Sequence, residues 1–234
     1  MDRRRFVKTC SVGAGLMAGG AMLLADHAYA RDYRRVRLLD ETAHPLRLAD
    51  LSVGAQYVFH YPFAATPCFL LDLGRPVPGR NGLRTEAGRA YDWPGGVGPA
   101  ASVVAYSAIC AHKMAHPTRT VSYIAYRPSR GDDDPEAGVI SCCAENSVYD
   151  PLAGGAVLSG PAPQPLAAIV LEHDAGRDEL YAVGTVGGEQ FQRFFSEFAA
   201  RLSLEYPNGN ADEPLAGDVV AYRLENFSAN VLTC

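Results

Sequence analysis

Between residues 55 and 183 the chain is written as short apolar or alternating runs broken by Gly, Pro and Asp. The runs are Ala55–Tyr61, Pro67–Leu73, Ser102–Ser107, Thr120–Ala125, Gly138–Ser141, Ile169–His173 and Glu179–Val183. Runs this short, rich in Val, Ile, Tyr and Phe and ended by turn residues, predict β-strands. Gly74–Gly79 and Asp174–Asp178 read as turns. No internal repeat is present and no long amphipathic helix precedes residue 189. A helix is predicted only over 189–202, where Phe191, Phe194, Phe195 and Phe198 recur at helical spacing and read as core. The fold class is therefore all-β, an antiparallel barrel or sandwich. Arg80–Pro99, with seven Gly or Pro residues around the lone Trp93, and Arg127–Ala137, with Gly131-Asp-Asp-Asp-Pro135, read as inserted loops. Residues 207–234 read as a turn-rich extension with one strand over Asp218–Leu224.

The first residues carry Asp2-Arg-Arg-Arg-Phe6-Val-Lys8, an apolar stretch over Val12–Ala25 and Ala28-Tyr29-Ala30. This order of basic, apolar and small residues resembles a twin-arginine export signal, residues 1–30, with cleavage after Ala30. Retention as a membrane anchor is the rival. The apolar run is short and glycine-rich against the ~20 residues a span needs, so anchoring is not favoured. Export by this route predicts a periplasmic protein delivered folded. Removing residues 1–30 takes four basic and two acidic side chains from totals of 21 and 26. That leaves 17 and 24, a net charge of −7, which argues against a nucleic-acid partner and suits a basic electron carrier.

Two segments carry the chemistry. The first is Cys110-Ala-His112; the second, thirty residues on, is Cys142-Cys-Ala-Glu145-Asn-Ser147-Val-Tyr149-Asp150. They resemble the two ligand loops of Rieske iron–sulfur proteins, which read C-x-H and C-x-x-H-x-S-x-Y. Tyr61–Cys68, Gly96-Val-Gly98, Val104–Cys110, Ser147–Pro151, Gly154-Gly155 and Leu166–Glu172 extend the likeness toward the small subunit of arsenite oxidase. It covers roughly residues 40 to 190.

The resemblance implies a Rieske domain over residues 31–206, a β-barrel or sandwich with a small cluster-binding subdomain near 106–117 and 138–163. It implies a [2Fe–2S] cluster with Cys110 and Cys142 on one iron and His112 on the other. Ser147 and Tyr149 would hydrogen-bond the cluster sulfurs, and Gly160-Pro161-Ala-Pro163 would cover it. The second histidine of the pattern is replaced by Glu145. A carboxylate can bind iron but adds negative charge. His116 is the alternative fourth ligand, Cys143 a third candidate, and loss of the cluster a further reading. The disulfide that ties the two loops in many relatives would fall at Ala115 and Ala144, so it is absent. Cys68 reads as a buried residue and Cys234 as a free thiol. His44, His60 and His173 read as structural.

The implied function is a non-catalytic electron-transfer subunit. It would relay electrons between a large molybdenum-containing (molybdopterin-type) catalytic subunit and a c-type cytochrome or similar carrier. The alternative is a cluster-free subunit with a docking role.

Overall fold

The computed structural model describes residues 30–128 and 138–234. The export-signal reading and the Asp132–Asp134 loop lie outside the described residues. The strands are β1 (Ala30–Leu39), β2 (Gln56–His60), β3 (Pro67–Asp72), β4 (Pro78–Arg84), β5 (Ala90–Gly95), β6 (Val103–Ser107), β7 (Ile124–Arg127), β8 (Val139–Cys142), β9 (Ser147–Asp150), β10 (Ala156–Ser159), β11 (Ala168–Asp174) and β12 (Glu179–Val186). Helices α1 (Phe191–Glu197) and α2 (Ala199–Glu205) follow, then β13 (Gly217–Val220), β14 (Tyr222–Arg223) and α3 (Leu224–Phe227). Among the described residues no helix is long and apolar enough to cross a membrane.

Eight strands form one sheet in the order β13-β1-β12-β11-β6-β3-β2-β14. The two outermost strands are consecutive in the chain, with only Ala221 between them. Laid flat, the edges of eight strands stand roughly 34 Å apart, whereas a one-residue link spans at most about 7 Å. The sheet must therefore curl until its edges meet. β13 pairs parallel to β1 and β14 antiparallel to β2, and the Ala221 amide donates to Leu39 O. The C-terminal segment, expected as an extension with one strand, thus supplies two short strands that close the barrel.

The strands at the middle of the sheet read as continuous apolar runs because both of their faces are buried. In β3, Cys68 and Leu70 point into the barrel with Val36, Leu38 and Phe59. Phe69 and Leu71 point outward to a second core with Tyr106 and Tyr149. A four-stranded sheet, β10-β9-β8-β7, covers that outer face.

Two expectations are corrected here. Arg80–Pro99 is not an inserted loop. Most of it is a β4–β5 hairpin whose Leu83, Tyr91 and Trp93 are buried in the outer core. The helix predicted over 189–202 is two short helices, broken at Phe198. Phe191 and Phe194 are buried beneath them with Met114.

Candidate metal centre

The first loop leaves β6 and folds back on itself. The Cys110 amide donates to Ala115 O at 2.9 Å and the Met114 amide to Cys110 O at 3.0 Å. Met114 takes a left-handed conformation (φ +54°) and is fully buried. This anchor holds His112 and Lys113 at the crown of the turn. Helix α1 braces the loop from outside: Gln190 Nε2 donates to Ala111 O and Arg193 Nη2 to His112 O, each at 3.0 Å.

The second loop is the tip of the β8–β9 hairpin, where Cys142 lies across from Ser147. Asn146 makes the turn at φ +58°. Gly160 presses on this tip at φ +89°; a Cβ there would stand 2.4 Å from Asn146 O and 2.6 Å from Ser147 Cα. Only glycine allows the approach. Pro161, next in the chain, is exposed.

The two loops bring the Cys110 and Cys142 sulfurs into hydrogen-bonding contact, both about 1% exposed. Each sulfur also faces two backbone N–H groups: those of His112 and Lys113 for Cys110, and those of Ala144 and Glu145 for Cys142. The hydrogen bond from Cys142 is the largest cause pulling the Cys110 thiol below its ordinary pKa, and it holds Cys142 protonated. The Tyr149 hydroxyl lies 3.3 Å from Cys110 Sγ and accepts from the Ala111 amide at 3.1 Å. Burial, then the negative charge of Cys110, pushes the Tyr149 pKa up. The phenol therefore keeps its proton and donates to sulfur. Ser147 Oγ is buried beside this pair without a partner.

Outside the thiols lies a second pair. His112 Nδ1 is 3.4 Å from one Glu145 oxygen, and Lys113 Nζ is 3.2 Å from the other. The Nδ1 contact falls outside hydrogen-bond geometry, leaving that buried nitrogen unsatisfied.

Among the described residues no three His, Cys, Asp or Glu side chains converge on one point. A mononuclear site would need such a group. A binuclear centre bridged by inorganic sulfide needs two pairs instead, and two pairs are present: Cys110 with Cys142, and His112 with Glu145. The four amides aimed at two buried sulfurs, and the orphaned Ser147 hydroxyl and His112 nitrogen, are what anionic sulfur and a metal would satisfy. The donors fit a [2Fe–2S] group.

His116 and Cys143 are placed elsewhere. His116 Nδ1 is 2.8 Å from Met114 O, and its ring stands edge-on to Phe194 and Phe198 at 4.9 Å from each. It belongs to the aromatic packing beneath the loop rather than to the thiol pair. Cys143 is bonded to Cys234, so Cys234 is not a free thiol. Ala115 and Ala144 line one cavity of about 240 Å³ between the loops. No local pattern marks Gln190, Arg193 or Cys234, because each reaches the loops from 79 to 91 residues away.

No family model matches the sequence. The chain is 31% identical over 197 residues to iodate reductase subunit IdrB of Denitromonas iodatirespirans, across 80% of this chain and 82% of that one. Among solved structures it is similar to the soluble domain of Rieske protein II (soxF) from Sulfolobus acidocaldarius, with a TM-score of 0.49 and 25% identity over 70% of this chain and 86% of that one. Two cysteine-bearing loops set on an all-β barrel, together with a likeness to a reductase subunit over four fifths of each chain, make this chain a member of the Rieske family.

Proposed function

We propose that this chain is the electron-transfer subunit of an exported oxidoreductase, holding a [2Fe–2S] cluster on Cys110, Cys142, His112 and Glu145. The observation that carries the proposal is the pairing of two buried sulfurs, each facing two backbone N–H groups. When bound, such a cluster takes up and releases one electron at a time. The chain's own residues set the conditions for that. The amides and the Tyr149 hydroxyl stabilise negative charge on sulfur. Burial of both cysteines keeps water from their sulfurs. His112 and Glu145, with side chains 25% and 46% exposed, form the rim through which an electron reaches a partner.

The likeness to an iodate reductase subunit supports a larger catalytic partner, in our reading a molybdenum-containing one. The acidic chain supports a basic c-type cytochrome or similar carrier. The N-terminal signal and the Cys143–Cys234 bond support the periplasm, since disulfides persist in oxidising compartments.

A second reading rests on one observation. Glu145 is already paired with Lys113 at 3.2 Å, so its charge is answered without metal. On that reading the chain is a cluster-free docking subunit.

Isolation of the native protein from periplasm tests the complex. Recovery with one large subunit near one-to-one, in a form that passes electrons to a c-type cytochrome, is the expected result. A free monomer that exchanges no electrons with any carrier contradicts the proposal.

A further inference from the structure

The second ligand loop is tied to the end of the chain. Cys143, next to Cys142, is bonded to Cys234 across 91 residues of sequence. The tail before Cys234 runs parallel to the segment entering β7. Ser122 pairs with Val231, its amide donates to Asn230 O at 2.8 Å, and the Leu232 amide donates to Ser122 O at 3.0 Å. Arg127 donates to Leu232 O. The Cys143 amide donates to Tyr123 O at 2.7 Å. Cys143 is therefore stitched to the β7 entry on one side and to the chain end on the other.

Among the described residues Cys110 and Cys142 are free thiols, and no covalent bond joins the two loops. The tail is thus the covalent support of the hairpin tip. It also answers a chemical problem. Adjacent thiols at 142 and 143 would compete for iron, and either could oxidise with Cys110.

We infer that the Cys143–Cys234 disulfide is a positioning clasp for the iron centre, holding the 143–146 tip in register and withholding Cys143 from the metal. The inference rests on the reading of this site as an iron centre. Held this way, the Ala144 and Glu145 amides stay aimed at Cys142, and Glu145 stays beside His112. A dithiol opens the clasp by exchange: it gives up two electrons and two protons and becomes a disulfide, and Cys143 and Cys234 become thiols.

The test compares the unaltered chain with C234S and C143S/C234S. Backbone hydrogen exchange is followed in metal-free protein, with β3 and β6 as internal reference. Iron release to a chelator is followed in loaded protein. Exchange over residues 143–147 should rise at least tenfold in both variants while β3 and β6 stay unchanged, and iron should leave both faster by a similar factor. In air, C234S should also form disulfides from Cys143 to Cys110 or Cys142, seen by peptide mapping, and C143S/C234S should not. Exchange over 143–147 within twofold of the unaltered chain overturns the inference. If the variants do not fold, the same exchange is read on native protein before and after reduction with dithiothreitol. If the unaltered chain takes up no iron, the iron-centre reading fails, while the exchange comparison still decides the clasp.

Discussion

Glu145 stands where a histidine was expected, and one of its oxygens lies 3.4 Å from His112 Nδ1. This places a carboxylate and an imidazole side by side at the rim of the thiol pair. A carboxylate charge at about 4 Å is worth roughly 4 kcal/mol at an effective dielectric near 20. Glu145 is about half exposed, so solvent screening leaves about a third of that. For a one-electron couple this is about 60 mV. Glu145→His should raise the reduction potential by about that much, and Glu145→Ala should lower iron content. Protein-film voltammetry and iron assay read both. An unchanged potential in Glu145→His counts against Glu145 as a ligand.

Tyr149 donates to the Cys110 sulfur and accepts from the Ala111 amide. Tyr149→Phe removes a bond to a charged acceptor, roughly 1.5–3 kcal/mol, or about 65–130 mV for one electron. The potential should fall by that amount with the cluster retained. Ser147→Ala should act in the same direction. A rise in potential would contradict the donor role given to Tyr149.

His116 sits edge-on between Phe194 and Phe198. His116→Ala should leave a cavity and cost roughly 2–4 kcal/mol of stability, read as a lower melting temperature. Iron per folded chain should not change. Selective loss of iron at unchanged stability would restore His116 as a ligand.

His60 gives the fold a pH dependence. Burial, then the charges of Arg119 and His116, pull its pKa from 6.5 to about 4. In this window the unfolded chain binds a proton that the folded chain refuses, so stability falls as pH drops from about 6.5 to about 4 and is flat below that for this group. The loss is roughly 3 kcal/mol. Melting temperature against pH should show the slope, and His60→Gln should flatten it. An equal slope in the variant assigns the effect to other groups.

Much of this was legible in the sequence. The strands buried on both faces were visible as apolar runs at Pro67–Leu73 and Ser102–Ser107. What stayed hidden shares a physical cause. β1 reads Ala-Arg-Asp-Tyr-Arg-Arg-Val-Arg, so its largely exposed first part carries no apolar period. β4 reads Pro-Gly-Arg-Asn-Gly-Leu-Arg and buries only Leu83. Such strands are fixed by their ladder partners, which local patterns do not encode. The Cys143–Cys234 bond and the Arg193 brace were invisible for the same reason: both depend on the barrel bringing distant residues together.

Iron and acid-labile sulfide per chain, measured with the reduced-state electron paramagnetic resonance spectrum on protein exported from a host with cluster-assembly machinery, tests the central claim most directly. The account predicts two irons and two sulfides, as a [2Fe–2S] cluster requires, with a Rieske-type signal of low average g that is lost when Cys110 or Cys142 is replaced by serine. Fully folded protein with its Cys143–Cys234 bond formed, no iron, and no change in metal content on either replacement would contradict it.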